Sequence, residues 1–375
     1  MEESEVKILV TGAKGFIGKN LIAELNNKGY KSIYEYDNDS SREQLDTYTK
    51  DCDFVFHLAG VNRPGREEEF MEGNCGFTSD LLGLLRKHEN KAPLLITSSI
   101  QALQDNPYGK SKKAGEDLLL AYQKETGTRT YVYRLQNVFG KWCRPNYNSV
   151  VATFCHNIAN GLPIVVNDPE HMMNLVYIDD VVSTFLSAME GREQRAKDGL
   201  YYVMTVHMIK LGELAKLIYS FRDSRDSLLI PDMADPLVKK LYSTYLSYLP
   251  NDQFSYPLKM NIDHRGAFTE FVKSPERGQI SVNITKPGIT KGNHWHHTKS
   301  EKFLVVSGEG LIRFRKINEE KITEYRVSGE KPEVVDIPPG YTHDITNTGI
   351  SDLVTIMWAN EPYDPEKPDT VYLEV

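Results

Sequence analysis

The chain opens with short apolar runs that alternate with helical periods. VKILVTG reads as a strand, GFIGKNLIAELNNKG as a helix closed by Gly29, and YKSIYEYD as a second strand. DFVFHLAG and PLLITSS read as two further strands, apolar on both sides, as a sheet covered on both faces requires. Strand–helix alternation of this kind predicts an α/β fold, a Rossmann-type doubly wound parallel sheet. Past Pro231 the pattern changes. DPLVKKLYSTYLSYLPNDQFSYPLKM is tyrosine-rich and broken by prolines, a connector with some helix. FTEFVKS, QISVNITKPG, KFLVVSGEG, LIRFRKI, EVVDIPPG and DLVTIMWAN then follow as β-rich runs set off by turns. They predict an all-β sandwich or barrel. The expected division is 1–245 for the α/β domain and 246–375 for the β domain.

Composition narrows the function classes. A formal net charge of −8 argues against a nucleic-acid partner, because a phosphate backbone selects a basic face. No segment approaches the ~20 apolar residues of a membrane span. The acidic opening MEESEVKILVTG lacks the basic start of a secretory signal. Cys52, Cys75, Cys143 and Cys155 show no C-x-x-C pairing, so neither a redox pair nor a thiolate metal site is expected. The expected compartment is the cytoplasm.

Candidate chemistry lies at both ends. TGAKGFIG places Gly12, Gly15 and Gly18 directly after a strand and at the start of a helix. Backbone amides there, including those of Phe16 and Ile17, can approach a pyrophosphate at the positive helix end. Asp37, at the end of the second strand, stands where an acid meets the adenosine ribose. Tyr108 and Lys112, four apart, share one helix face. A phenol ordinarily titrates near 10, and the adjacent ammonium is expected to lower it toward use as a proton carrier. Ser99, or else Ser98, is expected to hydrogen-bond the reacting oxygen.

With HLAG (Leu58, Ala59 and Gly60 among them), TSSIQ, NPYGKSK, YRLQNVFG and NLVYIDDVV, these motifs resemble the extended short-chain dehydrogenase/reductase family over roughly residues 5–220. The resemblance places HLAG after the family's fourth strand, and Arg134 and Asn137 on the substrate side. It also implies that Lys112 holds the nicotinamide ribose. Asp37–Asn38 favour an unmodified ribose hydroxyl and Arg42 opposes them. NADPH is expected from the resemblance, with NADH left open.

At the other end, GNHWHHTKSE carries His294, His296 and Glu301 between Gly288 and Gly308. Strand alternation points His294 and His296 to one side. PPGYTHDITN supplies Pro338, Gly340, His343 and Asn347. Both stretches resemble the two motifs of the cupin family, although proline occupies position 332, where the second motif usually opens on glycine. Three imidazoles and a carboxylate suit a divalent metal, zinc above all, with iron and nickel open. DHRGAFTEF resembles a substrate-binding segment of cupin-type epimerases that act on nucleotide-linked 4-keto-6-deoxy sugars, which implicates Arg265 and Glu270. His297, Tyr341 and Asp344 are candidates for moving the proton.

An extended reductase joined to a cupin resembles a family of bifunctional capsular-polysaccharide enzymes. This implies C3 epimerisation of a UDP-linked 2-acetamido-2,6-dideoxy-4-hexulose by the cupin. NADPH reduction of the C4 ketone would follow, giving UDP-2-acetamido-2,6-dideoxy-β-L-talose. It also implies a homodimer. Two rivals stand beside it: a UDP-sugar C4 epimerase or dehydratase with tightly bound NAD, and an NADP or metabolite sensor. Ile100 and Gln101 follow Ser99 where dehydratases carry an Asp-Glu pair. Tyr108 and Lys112 stand where a degenerate sensor would have lost one of them.

Overall fold

The computed structural model describes residues 5–375. They form two compact units. The first takes the residues up to Tyr219 together with Pro236–Pro250, and the second takes Ser220–Asp235 with Asn251–Val375. Residues 220–235 join the second unit for a local reason. The Lys273 amide donates to the Leu228 carbonyl at 2.8 Å and the Ile230 amide to the Lys273 carbonyl at 2.9 Å, so this stretch lies along a strand of the β domain. Nothing in its own pattern announces that pairing.

The first unit is built on an all-parallel sheet. Its strands are β1 (Lys7–Thr11), β2 (Ser32–Tyr36), β3 (Phe54–His57), β4 (Leu94–Ser99) and β5 (Thr130–Leu135), in the order β2-β1-β3-β4-β5. β3, β4 and β5 are buried almost throughout, which is why their sequences read as apolar runs rather than alternations. The strand order reverses at β1. In such sheets the crevice for a ligand opens at the carboxyl ends of the strands beside the reversal. TGAKGFIG leaves β1 and HLAG leaves β3, so both loops sit at that edge. HLAG follows the third strand of this chain rather than a fourth.

One buried charge cluster braces this unit. The Arg134 guanidinium grips Glu116 through two hydrogen bonds of 2.8 and 2.7 Å, and Ser98 Oγ donates to the same carboxylate at 2.6 Å. The side chains of Arg134 and Glu116 are 8% and 2% exposed. The pair ties β4 and β5 to the helix Pro107–Thr126, which carries Tyr108 and Lys112. That helix starts cleanly. Asn106 accepts the Gly109 amide at 2.7 Å, Pro107 opens the first turn, and Gly127 ends it with φ 72°.

The second unit consists of two antiparallel sheets of the expected cupin type. The six-stranded sheet contains Gly266–Ser274, Gly278–Thr285, Glu301–Ser307 and Leu353–Ala359. The five-stranded sheet contains Thr290–Trp295, Glu309–Lys316 and Tyr341–Asn347. Phe303, Val305, Ile312, Phe314 and Ile345 pack as its core. Among the described residues, no helix is long and apolar enough to cross a membrane.

Removing one partner of a buried pair strands the other charge, at a cost of about 3–5 kcal/mol. Glu116→Ala is therefore expected to lower unfolding stability by about that amount in a denaturant titration. A loss below ~1 kcal/mol would mean that the pair is dispensable.

Candidate active sites

The glycine loop is shaped by close backbone contacts. Gly12 has φ 71°, and a Cβ there would lie 2.7 Å from the Ala59 amide nitrogen; one on Gly18 would lie 2.2 Å from the Gly12 carbonyl oxygen. Loop and helix therefore pack too tightly for side chains. Gly15 caps the helix Phe16–Asn27 without a side-chain hydrogen bond, so the cap residue leaves the first amides, those of Phe16, Ile17 and Gly18, unpaired by its own side chain. Asp37 lies beside the loop and accepts the Lys14 amide at 2.7 Å and the Asn38 amide at 2.8 Å. Lys14 Nζ pairs with Asp39, while exposed Arg42 reaches Asp80 at 3.8 Å.

Ser99, Tyr108 and Lys112 converge at the carboxyl end of β4. Ser99 Oγ accepts the Gln101 amide at 3.1 Å and is hydrogen-bonded to the Tyr108 phenol. Lys112 Nζ lies 5.9 Å from the Tyr108 ring centre and donates to the Thr97 carbonyl at 3.3 Å. Gly60 makes room for it: a Cβ on Gly60 would stand 2.8 Å from the Lys112 nitrogen. The expected lowering of Tyr108 is not found. Burial raises the phenol above its ordinary value, and the bond to Ser99 offsets only part of that. The same burial lowers Lys112 to about 8, with Glu116 opposing.

Other expectations for this unit need correction. Arg134 does not face a substrate, because it is spent on Glu116, and Ser98 is held by the same carboxylate. Asn137 is exposed and donates to the Asn174 carbonyl at 3.2 Å. His57 of HLAG is 1% exposed and lies between the Thr11 hydroxyl at 2.7 Å and the Thr78 hydroxyl at 2.9 Å; burial pushes it down to about 3, a neutral structural histidine. Asn74 escaped sequence reasoning. It is 4% exposed within a π-helical stretch, where it bonds both the Val61 amide and carbonyl and the Ser111 hydroxyl. No spacing rule marks such a residue.

In the β domain, one ligand atom from each of His294, His296, Glu301 and His343 lies within 4.8 Å of the others. Glu301 Oε2 is 3.4 Å from Nε2 of both His296 and His343, yet all three buried atoms lack a hydrogen-bond partner. His296 Nδ1 faces the Asp369 carbonyl, and His343 Nδ1 the Tyr341 carbonyl at 3.5 Å. An Nδ1–H donated there leaves the Nε2 lone pair aimed at the cluster, the tautomer that a metal selects. Burial lowers His294 to about 4. Burial alone would raise the Glu301 carboxyl, but the two imidazoles beside it outweigh that and hold it below the usual range. The residues present therefore fit a divalent cation.

The cluster forms one wall of a cavity of about 640 Å³. Arg265 lines the cavity and pairs with Asp263 at 2.7 Å. Glu270 does not line it and is paired with Lys273 at 2.8 Å. His297, Tyr341 and Asp344 also lie off the cavity. His297 and Tyr341 are exposed, and fully buried Asp344 is bound by Arg313. Asp369, a residue missed in the sequence, receives the amides of His297, Thr298 and Lys299 at 2.9, 2.7 and 2.8 Å. It clamps the loop that follows the histidines.

The profile of the NAD-dependent epimerase/dehydratase family matches residues 8–203, and that of the polysaccharide biosynthesis C-terminal domain matches residues 261–371. A UDP-2-acetamido-2,6-beta-L-arabino-hexul-4-ose reductase of Pseudomonas aeruginosa is 48% identical over 97% of this chain and 98% of its own. The chain belongs to the NAD-dependent epimerase/dehydratase family. Its C-terminal part adds the polysaccharide biosynthesis domain described by the second profile. The crystal structure of the capsular polysaccharide assembling protein CapF from Staphylococcus aureus superposes with a TM-score of 0.93 at 53% identity, covering 99% of this chain and 100% of that one. The UDP-glucose 4-epimerase of Thermotoga maritima shares only the fold, with 21% identity and a TM-score of 0.55 over 65% of this chain and 98% of that one.

Two measurements bear on these sites. Lys112 titrates at about 8 in the folded chain, against ~10.4 unfolded. Below pH 8 both states hold the proton and the folded state bears the full penalty of a buried cation. As pH rises from 8 to ~10.4 the unfolded state holds more protons, so stability climbs. In cofactor-free protein, Lys112→Met is expected to be more stable than wild type at pH 7, by roughly 1–3 kcal/mol, with the gap closing near pH 10.5. Equal stability at every pH would contradict the assigned burial. For the other site, Asp369→Ala is expected to weaken divalent-metal binding about 10–100-fold in calorimetry, because the loop loses its clamp.

Proposed function

We propose that this chain carries out two successive reactions on one UDP-linked 2-acetamido-2,6-dideoxy-4-hexulose. The barrel epimerises C3, and the dinucleotide domain then reduces the C4 ketone with NADPH. The product is UDP-2-acetamido-2,6-dideoxy-β-L-talose. One observation carries the reading. A single chain holds a Ser99–Tyr108–Lys112 arrangement beside a glycine loop and, separately, a cavity with a cation-seeking cluster, and its near-full-length relative is named as a 4-ketose reductase.

The shared ketone links the two reactions. It acidifies the hydrogen on C3, so that carbon can lose and regain a proton through an enolate. Reducing the ketone removes the acidifying group and fixes the new stereocentre. In the dinucleotide domain, Tyr108 donates its phenolic proton to the C4 oxygen as hydride reaches the carbon, and Ser99 holds that oxygen. Lys112 holds the nicotinamide ribose, and its ammonium supports the phenolate left behind. Lys14 and Arg42 are each paired with a carboxylate, Asp39 and Asp80, so the choice of NADPH over NADH rests on the family resemblance.

In the barrel, His294, His296, Glu301 and His343 would hold a divalent ion, zinc best suiting the nitrogen-rich set, which supplies Lewis-acid polarisation. The side chains that line the cavity also orient the sugar. Arg265 stands at the cavity wall as a partner for an anionic group of the nucleotide.

Incubating the 4-keto sugar with enzyme in D2O, without NADPH, is expected to place deuterium at C3. Tyr108→Phe is expected to slow ketone reduction at least ~10²-fold while C3 exchange continues. His296→Ala is expected to do the reverse, losing exchange and keeping reduction of the already epimerised ketone. An absence of deuterium with wild-type enzyme would eliminate the epimerising barrel.

A further inference from the structure

The strand Thr290–Trp295 does not alternate simply. Its ladder with Tyr341–Asn347 pairs Lys291 with Ile345, Gly292 with Asp344 and His294 with His343, so Asn293 is an extra residue. Gly292 and Asn293 both adopt positive φ, 105° and 58°. Such a bulge shifts the strand by one position. His343 and Ile345, two apart, face the cavity together, and so must their partners. Lys291 therefore shares the cavity face with His294, although the two are three apart in sequence.

The ammonium is fixed rather than loose. Lys291 Nζ donates to Asn283 Oδ1 at 2.9 Å and to the Ile284 carbonyl at 2.8 Å, and Asn283 is itself 4% exposed. An ammonium has three N–H donors, so one remains for the cavity that Lys291 lines. Burial lowers the group below the ordinary lysine value, with Asp263 opposing and Arg265 reinforcing. Arg265 and Lys299 also line the cavity, but the Arg265 side chain is 52% exposed and already bound to Asp263. Lys291 is the cation held by two hydrogen bonds beside the histidines.

Accepting the C3-epimerisation reading, we propose that Lys291 is a catalytic residue of the barrel, donating its third N–H to the oxygen that becomes negative as the enolate forms. The C3–H bond breaks and its electron pair forms the C3–C4 double bond. The carbonyl pair moves onto the C4 oxygen, and the proton passes to solvent water, from which C3 is reprotonated on the opposite face. Lys291 loses no proton. A fixed donor in a desolvated site acts where charge develops, and removing one such donor typically costs about 10²–10³-fold in rate.

The test is C3 deuterium exchange in D2O with wild type, Lys291→Met and Lys291→Arg, beside metal content and NADPH reduction of the epimerised ketone. The expected result is a Lys291→Met enzyme with wild-type metal content and reduction and with the kcat of exchange reduced at least ~10²-fold, partly restored in Lys291→Arg. Exchange within threefold of wild type would overturn the proposal. So would a rise in KM at unchanged kcat, the mark of a lysine that only binds the diphosphate, or a loss of exchange merely in proportion to lost metal. Absence of exchange in wild type, by contrast, would remove the C3-epimerisation reading itself.

Discussion

A carboxylate oxygen and two imidazole nitrogens, all buried and none hydrogen-bonded, converge inside the β domain. A folded protein does not leave three such atoms unsatisfied without a partner, because each costs roughly 1–3 kcal/mol. A cation resolves all three at once. Much of the barrel's local architecture follows from that demand. The carbonyls of Asp369 and Tyr341 set the tautomers of His296 and His343, Asp369 grips the loop behind the histidines, and the bulge at Asn293 turns His294 toward His343.

The dinucleotide domain follows a different constraint, that of close approach. Gly12, Gly18 and Gly60 are fixed by atoms that would collide with any side chain: backbone in the first two cases, the Lys112 ammonium in the third. The Glu116–Arg134 pair then anchors the helix that carries Tyr108 and Lys112. That pair is structural, yet it acts on the site by holding the helix that presents the phenol to Ser99. Burial has opposite effects on the two titrating groups, raising Tyr108 and lowering Lys112. Both shifts favour the neutral forms.

Much of this was legible in the sequence. The glycine loop and the Tyr108–Lys112 spacing depend on local periodicity, while the resemblance to two cupin motifs brought together His294, His296, Glu301 and His343, which the structure places within 4.8 Å of one another. Residues read through longer-range assumptions fared worse. Arg134 belongs to a motif read as substrate-facing, but Glu116, eighteen positions earlier, captures it. Asp344 lies beside a cluster residue, but alternation turns it outward to Arg313. Lys291 escaped because strict alternation placed it opposite His294, and a single inserted residue restored it to the same face. Asp369 escaped because its partners lie some seventy residues away. Bulges and distant clamps leave no period to read.

The buried cluster of His294, His296, Glu301 and His343 demands a cation. Elemental analysis combined with native mass spectrometry, on protein expressed in metal-replete medium and purified without chelator, addresses it directly. The account predicts one tightly held divalent ion per chain, lost in Glu301→Gln. Wild-type protein that carries no divalent ion, and takes none up on titration, would contradict it.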